Sequence, residues 1–256
     1  FDRGVAYVPS DPLLSNQWHN VGTEAVNINI LDAWDYFTGA NVKFGIYDDG
    51  VDNSHVDLSG NYDASLHVLV NGTFDDPTIY NSGDGHGTAV AGLIAAVEGN
   101  DQGVVGGAYN GTLTGVDIFG AGGNAYLFGA MNEQSRFDVT NHSWGWNQPF
   151  ADNSLNVGWL GFFSGLQDAA INGRDGLGTI QMVAAGNDRG VADNTNTSNF
   201  TSSRFVNAIA AITDGGQIAQ YSNPGASLLV AAPSNGGSQG IQTTDYSGAL
   251  GYNSGD

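Results

Sequence analysis

The chain has 256 residues, 41% of them hydrophobic, with 12 Phe, 10 Tyr and 5 Trp, enough apolar material for one large folded domain and too much for a disordered tail. Against 26 Asp and Glu stand 6 Lys and Arg, a formal charge of −20 that repels nucleic acid and anionic membranes and excludes both as partners, while it suits bound cations, high salt or a basic substrate. Cysteine is absent, so disulfides and thiolate metal sites are excluded, and no apolar run reaches the ~18 residues that span a bilayer.

In chain order, "VKFGIYDDG" (42–50) predicts a buried strand that runs into an acidic, glycine-containing loop. "GTAVAGLIAAVEGN" (87–100) has small and apolar residues at helical spacing, with "EGND" as a stop. "TLTGVDIFG" (112–120) predicts a strand, "NAYLFGAMNEQS" (124–135) a helix, and "FDVTNHSWG" (137–145) a strand ending in a glycine turn. A long helix is predicted over 152–176, capped by Asp or Asn at its start and by Gly173 at its end. "GTIQMVAAGND" (178–188), "FVNAIAAITD" (205–214) and "ASLLVAAPS" (226–234) predict three further apolar strands. The 39 glycines show no fixed period, and there is neither an internal repeat nor a Pro-rich linker, so residues 1–256 read as a single domain. The chain opens on Phe rather than Met and lacks a signal-peptide pattern, as expected of a processed or excised piece.

Apolar strands alternating with helices predict an α/β fold: a doubly wound parallel sheet with helices on both faces, in three α/β/α layers. Sites in such sheets gather at the carboxyl ends of strands. Asp48, Ser143 and Asn187 each stand just past such an end. His86 stands between two glycines in "DGHGTAVAG" (84–92), at a predicted helix start. Glycine lets backbone or substrate approach closely, a setting a core histidine does not need.

Four stretches, in order, resemble the subtilisin-like serine proteases: "YDDGVDNSHVDL" (47–58), "HGTAVAGLIAA" (86–96), "NHSWG" (141–145) and "VAAGND" (183–188). The resemblance covers nearly the whole chain. It implies the subtilisin-like fold, Asp48 as the triad acid, His86 as general base and Asn187 as the side-chain oxyanion donor. Ser143, Trp144 and Gly145 would be the strand beside which a polypeptide substrate docks. The chemistry agrees: a hydroxyl nucleophile needs a base that titrates near working pH, and the imidazole needs a buried carboxylate to fix its tautomer. An oxyanion donor of this kind is worth roughly 3–4 kcal/mol in subtilisin. His19, His55, His67 and His142 read as core or surface residues.

The second acid of the "DDG" motif, Asp49, together with "DPLLSNQWHN" (11–20) and "HVDLSGNYD" (55–63), resembles the kexin and furin branch, in a bacterial member. That branch lines its specificity pocket with carboxylates. The matching positions here carry Gln148 and Ser198, which argues against cleavage after paired basic residues. Asp193 falls where the branch holds a second calcium, but its companions align with Gln148 and Asn223, which are poorer ligands. The resemblance also implies a first Ca²⁺ site: Asp11, Asp57 and the loop "VEGNDQGV" (97–104), with the Asn100 side chain and the carbonyls of Val97, Gln102 and Val104.

The family's serine lies in a Gly-Thr-Ser motif that opens a helix. None of the Gly-Thr pairs here is followed by Ser, and "TTDYSGALGYNSGD" (243–256) matches the region shortly before that helix. Ser247 and Ser254 precede no helix-forming run, so the nucleophile is expected beyond Asp256, and the catalytic domain is read as incomplete at its C-terminus. The expectation is therefore a secreted (extracellular or periplasmic), calcium-stabilised serine endopeptidase. Its partners would be the C-terminal remainder that carries the serine and a propeptide or inhibitor. One alternative is a non-catalytic relative that serves as a binding or scaffold module. A metal-dependent hydrolase built on His86 with Asp48 or Asp84 is another, although the paired-histidine spacing of zinc enzymes is missing.

Overall fold

The structure is a computed structural model, and it describes residues 7–22, 26–70, 72–74, 76–79, 83, 85–120, 123–246 and 251–253. Among these the chain runs through α1 (Trp18–Val21), α2 (Leu31–Trp34), β1 (Lys43–Asp48), the hairpin β2 (Leu69–Val70) and β3 (Thr73–Phe74), and α3 (His86–Ala95). Then come β4 (Thr112–Asp117), α4 (Gly123–Met131), β5 (Val139–His142), α5 (Leu160–Gly176), β6 (Ile180–Ala184), β7 (Asn207–Ile212) and β8 (Val230–Pro233). A last hairpin pairs β9 (Thr243–Thr244) with β10 (Tyr252–Asn253).

Six strands form one parallel sheet in the order β4-β1-β5-β6-β7-β8. β1 lies inside it, and every residue of β1 after Lys43 is buried, as a strand covered on both faces requires. Alternation along β1 divides the core. Phe44 and Ile46 meet Leu113 and the small face of α3, Ala91 and Ala95, on one side. Tyr47 meets Val116, Val183 and the residues Leu127, Ala130, Phe162 and Leu166 of α4 and α5 on the other. The Tyr47 hydroxyl donates to the Ala130 carbonyl at 3.0 Å, which lets a phenol sit in that core. The result is the expected three-layer α/β arrangement. The chain leaves β1 for β4 on one side and returns to β5 on the other, so the crevice between the carboxyl ends of β1 and β5 is the topological switch point.

Several element bounds differ from the sequence reading. The long helix starts at Leu160, because Asp152 is drawn away from it. Its buried carboxylate accepts from Phe200 N (2.6 Å), Asn199 N (3.0 Å) and Ser198 Oγ (3.1 Å). Asn156 instead caps a single 3₁₀ turn, Val157–Trp159. At the other end Gly173 does leave helical geometry, and Arg174 and Asp175 follow with φ of 53° and 56°. α3 and α4 stop at Ala95 and Met131, earlier than predicted. The apolar run 226–234 yields only the edge strand β8, with Leu229 84% and Val230 57% exposed rather than buried.

Candidate active site

Asp48 is the last residue of β1, and His86 is the first of α3. The helix thus carries the imidazole to the strand's carboxyl end, where Asp48 Oδ1 lies 2.7 Å from His86 Nδ1. The carboxylate is buried (2% exposed) while the ring is 57% exposed. A neutral ring that donates from Nδ1 has Nε2 as its basic nitrogen. Asp48 Oδ1 also accepts from Asp49 N, whereas Oδ2 is buried with no hydrogen-bond partner among the described residues. A carboxylate so poorly compensated gains strongly from a positive ring beside it.

Asp49 holds the same histidine by its backbone. Its carboxylate accepts from His86 N (3.1 Å) and Gly87 N (2.7 Å), two of the donors that a helix start leaves without intrahelical partners. Burial pushes the Asp49 carboxyl above the ordinary range, and the neighbouring Asp48 charge adds to this. Gly87 must be glycine, since a Cβ there would collide with the Gly50 carbonyl. Behind α3, Thr243 and Thr244 of β9 donate to the Ala89 and Thr88 carbonyls, both at 2.6 Å.

His86, Ser143, Gly186 and Asn187 line one cleft of about 450 Å³, with Ile209 and Tyr221 also in its wall. Asn187 follows β6 and is exposed. Gly145 is exposed, and a Cβ built on it meets nothing within 4 Å, so the edge past β5 has room for another chain. Trp144 differs from its neighbours. Its ring packs on Phe200 (5.2 Å), Trp146 (5.3 Å) and His142 (5.9 Å), so it supports the edge from behind. Its Nε1 is buried with no hydrogen-bond partner among the described residues.

Ala184–Gly186 and Gly145 also wall a side cavity of about 20 Å³, together with Trp146, Asp193, Ser198, Phe200 and Asn223. Asp193 is buried and engaged by Thr197 Oγ1 (2.5 Å) and Asn223 Nδ2 (3.1 Å). Ser198 donates to Asp152, and Gln148 is exposed. This cavity therefore presents hydroxyl, amide and aromatic groups and a carboxylate that already has partners.

Asp11 and Asp57 meet at the loop 97–104. Asp11 Oδ2 accepts from Gly99 N (2.9 Å), and its Oδ1 is buried with no partner among the described residues. Asp57 is fully buried and accepts from Asn100 Nδ2 and Val104 N, both at 2.8 Å; burial raises its carboxyl above the ordinary range. Gln102 N donates to Asn100 Oδ1 at 2.7 Å, and Val97 N to the Asp57 carbonyl at 2.7 Å. An orphaned carboxylate oxygen next to a desolvated acid, in a tight oxygen-rich loop, fits a hard cation such as Ca²⁺. One detail departs from the expected ligand set: Asn100 turns its amide nitrogen, not its oxygen, to Asp57. Among the described residues no cluster of three or more His, Cys, Asp or Glu side chains forms a metal site, so a cation here would lean on backbone carbonyls.

The remaining histidines serve the core. His142 and His19 are buried, and desolvation lowers them to about 3 and about 4. His55 Nε2 donates to the Gly251 carbonyl at 2.6 Å, and His67 is half-buried against Tyr62. Asp84, Ser247 and Ser254 lie outside the described residues. Sequence reasoning used Asp49 only as a mark of resemblance, because its bonds to the start of α3 span 37 and 38 positions, which no local capping pattern reports. Thr243 and Thr244 gave no signal, because their partners lie more than 150 positions away.

The model of the subtilase family matches residues 39–254. Furin of Rattus norvegicus is 33% identical over 258 residues, 95% of this chain and 31% of furin, and the endoprotease bli-4 of Caenorhabditis elegans is 33% identical over 79% of this chain and 22% of its own. The chain thus spans less than a third of the length of these relatives. Among solved structures, a protease of Pseudoalteromonas arctica is 28% identical with a TM-score of 0.76, covering 96% of this chain and 82% of its own. A serine protease of Aeromonas sobria, 20% identical and solved in complex with a chaperone, shares the fold at a TM-score of 0.78 over 92% of this chain and 45% of its own. With most of its length matched by that family model and a third of its residues identical to furin's, the chain belongs to the subtilase family.

Proposed function

We propose that this chain is the catalytic core of a calcium-stabilised serine endopeptidase. The observation that carries the reading is the 2.7 Å contact between Asp48 Oδ1 and His86 Nδ1 at the rim of a cleft that Asn187 also lines. The nucleophile in this reading is a serine hydroxyl brought to His86 Nε2. A polypeptide lies extended along 143–145 as an added strand, its backbone paired with the open edge at Gly145. His86 Nε2 takes the serine proton as Oγ bonds to the scissile carbonyl carbon. Asp48 holds the ring by Nδ1 and stabilises the imidazolium. The carbonyl electron pair moves onto oxygen, and the Asn187 amide donates to that oxyanion. His86 then protonates the leaving amine, the C–N bond breaks, and water repeats the sequence on the acyl-enzyme with His86 again as base.

A calcium ion at Asp11, Asp57 and the 97–104 loop would neutralise the two carboxylates and fasten the N-terminal segment to the loop that follows α3. A propeptide or protein inhibitor would occupy the same edge as substrate. The protein is read as secreted, where calcium is plentiful and can take the place of disulfides. Among the described residues no helix is long and apolar enough to cross a membrane.

The test is His86→Ala in the complete protein, with peptide hydrolysis and circular dichroism measured side by side. Turnover falls by several orders of magnitude while the fold is retained. Hydrolysis within about tenfold of the parent refutes the role. Hydrolysis absent from the parent itself favours the binding or scaffold reading.

A further inference from the structure

Asn187 can stabilise an oxyanion only if the turn after β6 presents its amide at a fixed place, yet the residue is exposed. The bonds that reach this turn from a separate stretch come from Tyr221, whose carbonyl accepts from Arg189 N at 3.3 Å, and from Asn223. Ala185 N bonds back into the sheet at Ile209 O (3.0 Å), and beyond that point Gly186 and Asn223 share the wall of the side cavity. Asn223 N donates to the Gly186 carbonyl at 2.9 Å. The Asn223 side-chain oxygen accepts from Asp188 N at 2.8 Å. One residue thus binds the positions immediately before and after Asn187. Its amide nitrogen points elsewhere, since Nδ2 donates to buried Asp193 Oδ2 at 3.1 Å, and Asp193 Oδ1 is held in turn by Thr197.

The fit is close. Gly186 has φ +100°, and a Cβ there would lie 2.6 Å from Asn223 Nδ2, so the turn and the amide leave each other no slack. Asn223 is itself 4% exposed. A side chain with one acceptor and one donor end is what this place requires, because it faces a backbone N–H on one side and a carboxylate on the other. A carboxylate of the same shape would meet Asp193 as a like charge, and an aliphatic residue would leave both Asp188 N and Asp193 with an unmet bond.

We propose that Asn223 is a positioning residue for catalysis: it braces the oxyanion turn through Gly186 and Asp188 and anchors it to Asp193 through an uncharged amide. The role rests on the proposed use of Asn187 as oxyanion donor, but the brace itself can be measured without turnover.

Two readouts test it in the complete protein. In Asn223→Ala, amide hydrogen exchange at Asp188 quickens about tenfold or more, since its acceptor is gone. In the same variant kcat falls about 10- to 100-fold with KM within about twofold, the signature of support lost only in the transition state. When Asn187→Ala is already present, adding Asn223→Ala lowers kcat less than about threefold further, because both act through one donor. A merely structural residue would cost as much in either background, and that result overturns the proposal, as does unchanged exchange at Asp188. Should Asn223→Ala fail to fold, Asn223→Asp keeps the acceptor for Asp188 N, loses the donor to Asp193 and sets a like charge against it. It then shows a protected Asp188 amide with a reduced kcat, and an undiminished kcat contradicts the anchor. A parent protein that hydrolyses no peptide defeats the protease reading, while the Asp188 exchange still decides the brace.

Discussion

Asp48 and Asp49 divide one histidine between them: the first takes the ring, the second takes the backbone. A histidine outside the cleft has a different consequence, for stability. His19 is buried with neither ring nitrogen hydrogen-bonded among the described residues, and burial lowers it from 6.5 to about 4. Well above pH 6.5 both folded and unfolded chains hold it neutral, so its titration costs nothing there. Below 6.5 the unfolded chain takes up a proton that the folded chain refuses until about pH 4, so stability falls as pH falls across that window. The loss at pH 5 is about 2 kcal/mol from this one residue. Urea unfolding at pH 7 and pH 5 checks it. The parent loses stability on acidification, and His19→Leu, which breaks no side-chain hydrogen bond, recovers about 2 kcal/mol of that loss. An equal loss in both proteins contradicts a neutral, buried His19.

At the scale of elements, the loop 97–104 and the segment bearing Asp11 are joined by a handful of hydrogen bonds. Asp11 meets Gly99 N, Leu13 N meets the Gly103 carbonyl, and Asp57 receives Val104 N and Asn100 Nδ2. Asp11 keeps one buried carboxylate oxygen with no partner among the described residues, and Asp57 is desolvated in the same loop, so a bound cation would offset both costs. On the proposed calcium site, the ion at a hundred times its dissociation constant is expected to stabilise the protein by about 2.7 kcal/mol. Thermal melts with calcium and with chelator measure this: the midpoint drops in chelator, and Asp57→Asn removes the difference. A midpoint indifferent to calcium in the parent contradicts the site. How much of this was legible in the sequence follows from range. β1, α3 and β6 announced themselves by local apolar runs, and Asp48, His86 and Asn187 stand in short motifs at their ends. β8 is a strand as expected but shorter and more exposed, because an apolar run looks alike at the edge and at the centre of a sheet. The start of α5 was misplaced because Asp152 found donors at 198–200, some 46 positions away, that satisfy its carboxylate better than a helix start would.

For the whole molecule, the parallel sheet explains why residues so far apart in sequence share a cleft. Its switch point leaves a crevice at the carboxyl ends of β1 and β5, and the turn after β6 completes the rim. Asn223 escaped sequence reasoning as a brace because its bonds to Asp188 and Asp193 span 35 and 30 positions, which no local pattern reports. What the proposed chemistry stands on is that Asp48, His86 and Asn187 surround the place where a serine hydroxyl attacks a peptide carbonyl. Mass spectrometry of the complete protein after treatment with a phosphonyl fluoride bears on this without any choice of substrate. A single adduct is expected on the proposed nucleophilic serine, formed rapidly in the parent and slowed by orders of magnitude in His86→Ala. No adduct, or one that forms equally fast without the imidazole, contradicts it.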